Sequence, residues 1–158
     1  MSLLLVVAML VGGGCVGPDY VPPLQEWDGS SYRMIQVRPE LIAPLNELFQ
    51  ELHEKGARPV LLSGYRSYER QAQMHLADPK WTEPAGCSEH QLGTAVDIGW
   101  MGYGLRSPHD QVLWPLLQEL GPEYGFEVTY DGTGDIPAEP WHLNYQLEQP
   151  TRRTLRIL

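Results

Sequence analysis

The sequence predicts an α+β domain in which helices pack on a small antiparallel sheet. Three observations predict it. Apolar residues recur at helical spacing in separate stretches, short apolar runs bounded by Pro and Gly lie between them, and a late pair of strand candidates follows. The chain has 158 residues, enough for one domain with a real core.

Leu41, Ile42, Leu45, Leu48, Phe49 and Leu52 recur at helical spacing, with Lys55 and Gly56 as stop signals. Pro44 then falls in the first turn, where its missing N–H costs nothing. Val60, Leu61 and Leu62, between Pro59 and Gly64, predict a strand over 58–63. Ser67 is placed to cap a second helix that runs to about Ala77. A loop follows over 79–86. Residues 94–98 read as a strand with Ala95 and Asp97 on one face and Val96 and Ile98 on the other. After a glycine-containing loop at 99–108, Val112, Leu113, Leu116, Leu117 and Leu120 mark a third helix, ended by Gly121 and Pro122. Strands are predicted at 125–130 and 141–147, with a loop at 131–138.

The amino-terminal part divides in two. Residues 2–14 are apolar and uncharged, too short a run for a membrane-spanning helix of roughly 20 residues. Residues 1–15 therefore read as an export or lipoprotein signal. Gly12-Gly13-Gly14-Cys15 resembles a lipoprotein processing site, which makes Cys15 the lipidated residue and the point of membrane attachment. An ordinary export signal is the alternative. Residues 16–29 contain Pro18, Pro22 and Pro23 without a hydrophobic period and read as a linker. The folded domain is expected over 30–158. The only other cysteine is Cys87. A disulfide to Cys15 is open, but the targeting role of Cys15 favours Cys87 as a small buried residue.

Lys plus Arg is 11 and Asp plus Glu is 20, so the formal net charge is −9. That balance argues against nucleic acid as a partner, because phosphate binding needs a basic surface.

The chemistry concentrates in two places. One is Ser88-Glu89-His90-Gln91-Leu92-Gly93-Thr94-Ala95-Val96-Asp97, and the other is Glu139-Pro140-Trp141-His142. His90, Asp97 and His142 are two imidazoles and a carboxylate, a donor set for Zn2+ that leaves a fourth coordination position open. Glu139 stands three residues before His142 and can take a proton from water at that position. Gly93 allows a tight turn that carries the following strand back toward His90. Asp97 is flanked by apolar residues, and burying its carboxylate unpaired would be expensive. His53, His75 and His109 lack such company and read as ordinary surface or hydrogen-bonded histidines.

The stretch from Ser88 to Asp97 resembles the S-x-H-x-x-G-x-A-x-D motif of VanY-type D-alanyl-D-alanine carboxypeptidases, metallopeptidases that share a fold with the hedgehog signalling domain. Glu139-Pro140-Trp141-His142 is similar to that family's second motif. Ser63-Gly64-Tyr65-Arg66-Ser67, followed by Gln71, is similar to its first. The resemblance covers about residues 30–145. It implies that His90, Asp97 and His142 are zinc ligands and that Glu139 is the catalytic base. It makes Arg66 the anchor for a terminal carboxylate, through a bidentate guanidinium fork. Ser88 takes a position against the substrate or behind the metal ligands, and Tyr65, Gln71, Trp141 and Tyr145 are expected to line the pocket. The implied reaction is hydrolysis of the terminal D-Ala-D-Ala amide of peptidoglycan stem peptides, by a monomer in the cell envelope.

Rival readings share parts of this site. L,D-carboxypeptidase, D,D-dipeptidase and peptidoglycan endopeptidase activities use the same zinc chemistry on another bond. A catalytically inactive zinc-containing binding module would not need Glu139. A serine hydrolase built on Ser88 and His90 lacks the G-x-S-x-G elbow.

Overall fold

The computed structural model describes residues 15–147. The export-signal run at 2–14 and the tail from 148 onward lie outside these described residues. Two short strands, β1 (Gln25–Glu26) and β2 (Gln36–Val37), pair antiparallel ahead of the main domain. Helix α1 (Ile42–Glu54) follows, then strand β3 (Pro59–Ser63) and helix α2 (Tyr68–Ala77). A short helix α3 (Glu89–Leu92) leads into strand β4 (Ala95–Trp100). Helix α4 (Asp110–Leu120) and strands β5 (Phe126–Val128) and β6 (His142–Tyr145) complete the chain. The main sheet has four strands in the order β3-β4-β6-β5, every neighbouring pair antiparallel. This is the α+β architecture that the apolar spacing predicts.

One face of the sheet carries the core. Leu45, Leu48, Phe49 and Leu52 of α1 and Leu113, Leu117 and Leu120 of α4 meet Val96, Ile98 and Leu143 from the strands in one buried cluster. Burying each such side chain contributes about 1.5–3 kcal/mol. Side chains alternate along a strand, so Asp97 and His142 fall on the other face. Pro44 is the third residue of α1, in its first turn as expected. Pro115 lies inside α4, where its missing N–H releases the carbonyl of Gln111.

Ser67 caps α2 by accepting from the backbone N–H of Arg70 at 3.2 Å. Strands β1 and β2 were not expected, and two further elements differ from expectation. Strand β4 runs on to Trp100, because Pro59 and Val60 of β3 pair with Trp100 and Gly99. Helix α3 spans a single turn, too short for hydrophobic periodicity to reveal.

The linker assignment of 16–29 is corrected. Trp27 is 3% exposed and packs edge-on against Phe49 with ring centroids 5.2 Å apart, so this stretch is part of the domain. The lipidation of Cys15 is also corrected. Cys15 is joined to Cys87 in a disulfide, and a sulfur in that bond is not free to form a thioether. The backbone N–H of Val16 donates to the carbonyl of Gly86 at 2.8 Å beside it. Among the described residues, no helix is long and apolar enough to cross a membrane.

The disulfide closes a sequence separation of 72 residues directly beside Ser88. A loop of that length constrains the unfolded chain by about 4 kcal/mol in the chain-entropy account. Reduction, or Cys15→Ser, is expected to lower the melting temperature by roughly 10 °C. Calorimetry with and without reductant checks this, and an unchanged transition would show that the crosslink adds nothing.

Candidate active site

Strand register brings the site together. Asp97 on β4 stands directly opposite His142 on β6, so the two side chains share a face. On the other edge of β4, a register shift between Leu61 and Ser63 sets Ser63 opposite Asp97. The chain then turns at Gly64 to present Arg66. A Cβ at Gly64 would meet the carbonyl oxygen of Gln36 at 2.5 Å, so this approach requires glycine. His90 arrives on α3. Ser88 caps that helix, its Oγ accepting from the backbone N–H of His90 at 3.3 Å. Gly93 ends the helix at φ 75°, a left-handed conformation that turns the chain straight into β4.

His90 Nε2 lies 3.3 Å from Asp97 Oδ2, and His142 Nδ1 lies 3.2 Å from Asp97 Oδ1. All three residues are buried, and one donor atom from each falls within 4.8 Å of the others. The outer nitrogens of both rings are engaged as well. His90 Nδ1 is 2.8 Å from the carbonyl of Gly64, and His142 Nε2 is 2.9 Å from Glu89 Oε2. Each outer acceptor takes the single N–H of a neutral imidazole, which leaves a lone pair on the inner nitrogen facing Asp97. Two acceptors facing each other across 3.3 Å need a cation between them. A tetrahedral metal with bonds near 2.1 Å has donor–donor edges of about 3.4 Å. The donor set therefore fits zinc in its chemistry, and donor atoms within 4.8 Å of one another leave room for the ion.

Without a metal, protons do that work. Burial raises the pKa of Asp97, but His90 and the hydrogen bonds from both imidazoles reverse this and hold the carboxyl far below the usual range. Burial pushes His90 down, and the charge of Asp97 only partly opposes it. His142 also loses solvent, but its hydrogen bonds to Asp97 and Glu89 win, and its pKa rises to about 9. Glu139 is pushed up to about 7, mainly by burial and further by Asp97, against the pull of His142 and Arg66. Its Oε2 lies 3.9 Å from His142 Nδ1.

These residues line one open cavity of about 550 Å³. Arg66 lines it too, and its guanidinium is aimed by its neighbours. Nη1 donates to Gln71 Oε1 at 2.8 Å and Nη2 to Ser63 Oγ at 3.3 Å, with Asp97 Oδ2 3.8 Å away. Gln71 is 1% exposed and in turn donates to the carbonyl of Glu83 at 2.6 Å. Ser88 and Trp141 line the same cavity. Tyr65 lines an adjoining cavity that shares Arg66 and Asp97, whereas Tyr145 lines neither, which corrects its assignment. Tyr145 shares the core face of β6 with Leu143 and packs on Phe126 at 5.1 Å between centroids.

Sequence reasoning missed Glu89, Tyr130, Trp81 and Arg106. Tyr130 lies with its ring 4.8 Å from that of His142, and Arg106 sits 5.0 Å over the ring of Trp141. Glu89 alone carried a signal, an acidic residue inside the histidine motif. The three remaining histidines have ordinary partners. His53 bonds the carbonyl of Phe49 at 2.7 Å, His75 that of Thr82 at 2.6 Å, and His109 stacks on Trp100.

A buried His-Asp-His cluster, a carboxylate beside it and an oriented guanidinium in one cavity define the class of metallopeptidase sites. Residues 34–148 match the VanY family, described as D-alanyl-D-alanine carboxypeptidase, and the chain belongs to that family. A D-alanyl-D-alanine carboxypeptidase of Enterococcus faecalis is 32% identical over 124 residues, covering 64% of this chain and 45% of that protein. The chain thus spans less than half the length of the first curated relatives it matches. Among solved structures, VanYB in complex with D-alanine-D-alanine is 25% identical, with a TM-score of 0.71 and 84% and 81% of the two chains covered. A VanY D,D-pentapeptidase in complex with Zn(II) is 27% identical, with a TM-score of 0.69 and 84% and 83% covered.

The raised pKa of His142 makes a prediction for the metal-free protein. Its folded value lies above its unfolded value, so its contribution to stability is complete below pH 6.5 and is lost as pH rises through about 9. Glu139 acts in the same direction at lower pH, between 4.5 and about 7. Chelator-treated protein is therefore expected to melt at a lower temperature at pH 9 than at pH 7. His142→Gln is expected to remove that step, and thermal melts of both proteins across this range check it.

Proposed function

We propose that this chain is a zinc-dependent D,D-carboxypeptidase that removes the terminal D-alanine from peptidoglycan stem peptides. The observation that carries the reading is one cavity holding both the His90, Asp97 and His142 cluster and the oriented guanidinium of Arg66. A metal cluster alone serves many hydrolases. A guanidinium in the same cavity selects a substrate that ends in a free carboxylate. The Zn(II) complex of one relative and the D-alanine-D-alanine complex of another support the metal and the ligand class. The disulfide and the family both suit an extracytoplasmic location.

His90 Nε2, His142 Nδ1 and the carboxylate of Asp97 would hold the metal. A bound zinc ion supplies Lewis acidity, which polarises the scissile carbonyl and makes hydroxide accessible near neutral pH. Arg66 holds the terminal carboxylate of the peptide. A guanidinium has five N–H donors, of which Gln71 and Ser63 take one each. Glu139 accepts the proton of the attacking water and returns it to the leaving amine nitrogen, so water is added across the C–N bond with no net proton change. Ser88 serves from behind the site, because its oxygen caps the helix that carries His90. That bond goes to the backbone of His90 and not to its ring, which disfavours a serine nucleophile.

Arg66→Ala is expected to keep zinc and to lose activity on free-acid peptides by about two orders of magnitude or more, as for loss of a desolvated ionic contact. Turnover of C-terminally amidated peptides at an equal rate by the unaltered enzyme would remove Arg66 from this role. Glu139→Ala is expected to bind zinc normally and to be inactive, and any substantial remaining turnover would point to another base. Product masses from pentapeptide, tetrapeptide and free D-Ala-D-Ala, with and without chelator, separate D,D-carboxypeptidase from dipeptidase and L,D-carboxypeptidase activity.

A further inference from the structure

Glu89 touches the histidine cluster from outside the cavity, and the mechanism above gives it no part. We propose that Glu89, backed by Thr129, is a positioning residue that fixes the tautomer of His142 and strengthens metal binding. The inference rests on the zinc reading of the site.

Glu89 Oε2 stands 2.9 Å from His142 Nε2, and Asp97 Oδ1 stands 3.2 Å from Nδ1 of the same ring. An ionised carboxylate only accepts hydrogen bonds, so Glu89 requires the proton on Nε2. The lone pair of neutral His142 is then on Nδ1, on the side of Asp97. The carbonyl of Gly64 does the same for His90. The two outer partners differ in charge. A carboxylate partner makes the ring a stronger donor than a neutral carbonyl does. Glu89 and Asp97 together also balance the charge of a dication held by two neutral imidazoles.

The position of Glu89 is held at both ends. Its backbone opens α3 directly after the Ser88 cap, and its carbonyl accepts from the N–H of Thr94 at 3.2 Å. Its side chain accepts from Thr129 Oγ1 at 2.7 Å on the same oxygen that meets His142. An exposed ion pair contributes little, but the His142 side chain is 2% exposed, so this contact is shielded from solvent. The ring of Tyr130 adjoins the same imidazole.

The test measures zinc affinity of the full chain by competition with a chromophoric chelator, together with the ligand-field absorption of the Co(II)-substituted protein. Glu89→Ala is expected to weaken zinc binding by about 10- to 100-fold and to change the Co(II) bands. Glu89→Gln keeps an acceptor for Nε2–H but not the charge, so a smaller loss with near-normal Co(II) bands is expected. Thr129→Val is expected to fall between Glu89→Gln and the unaltered protein. Folded Glu89→Ala with unaltered affinity and spectrum overturns the proposal. Should Glu89→Ala fail to fold, Glu89→Gln decides, and unaltered affinity there overturns it. Failure of the unaltered chain to bind zinc at all sinks the zinc reading itself and is distinguishable from either result.

Discussion

The carboxylate of Asp97 sits in the middle of a strand whose residues are all buried, and the site is organised around that one charge. An unpaired carboxylate there would cost several kcal/mol. Two imidazoles and a guanidinium approach it from three separate segments, the α3 turn, strand β6 and the turn after β3. Each partner is in turn tied to an acceptor farther out. The same compensation that makes the buried charge tolerable makes a cluster of lone pairs directed at one point, which is what a divalent cation needs.

Rigidity comes from the scaffold rather than from the loops. His142 and Asp97 are neighbours across a ladder, so their separation is set by backbone hydrogen bonds. The register shift in β3 places Ser63 beside Asp97 and starts the turn that delivers Arg66. The backbone N–H of Arg66 donates to the carbonyl of His90 at 3.1 Å, which links the guanidinium-bearing turn to the histidine cluster. The disulfide anchors the segment just before Ser88 to the amino-terminal strap. Arg66, His90 and the segment before Ser88 are thus tied into one scaffold, the preorganisation that hydrolysis at a metal requires.

The loop residues give the cavity its individual character. Trp81, Arg106, Tyr130 and Ile136 line it alongside the motif residues. Tyr130 is half-buried beside carboxylates, and burial first and then Glu89 hold its phenol well above its usual pKa. It therefore stays a neutral hydrogen-bonding group facing the substrate space. These side chains come from segments outside the three motifs, so family membership does not fix this part of the cavity wall.

The sequence by itself determined the class of fold, the helices α1, α2 and α4, and the identity of the residues that meet at the site. Apolar periodicity and spacing within a motif are local, and local patterns survive into the structure. Only the tertiary structure decided what depends on distant segments meeting. Cys15 lay beside an apolar run and read as a lipidation site, yet folding brings it to Cys87. Trp27 stood in a proline-rich stretch and read as linker, yet it fills a gap against Phe49. Tyr145 and His142 share one short strand, but strand alternation sends one to the core and the other to the cavity. Glu89 was a letter inside the histidine motif until strand β6 placed His142 against it, because a hydrogen bond between residues 53 positions apart leaves no trace in the spacing of either.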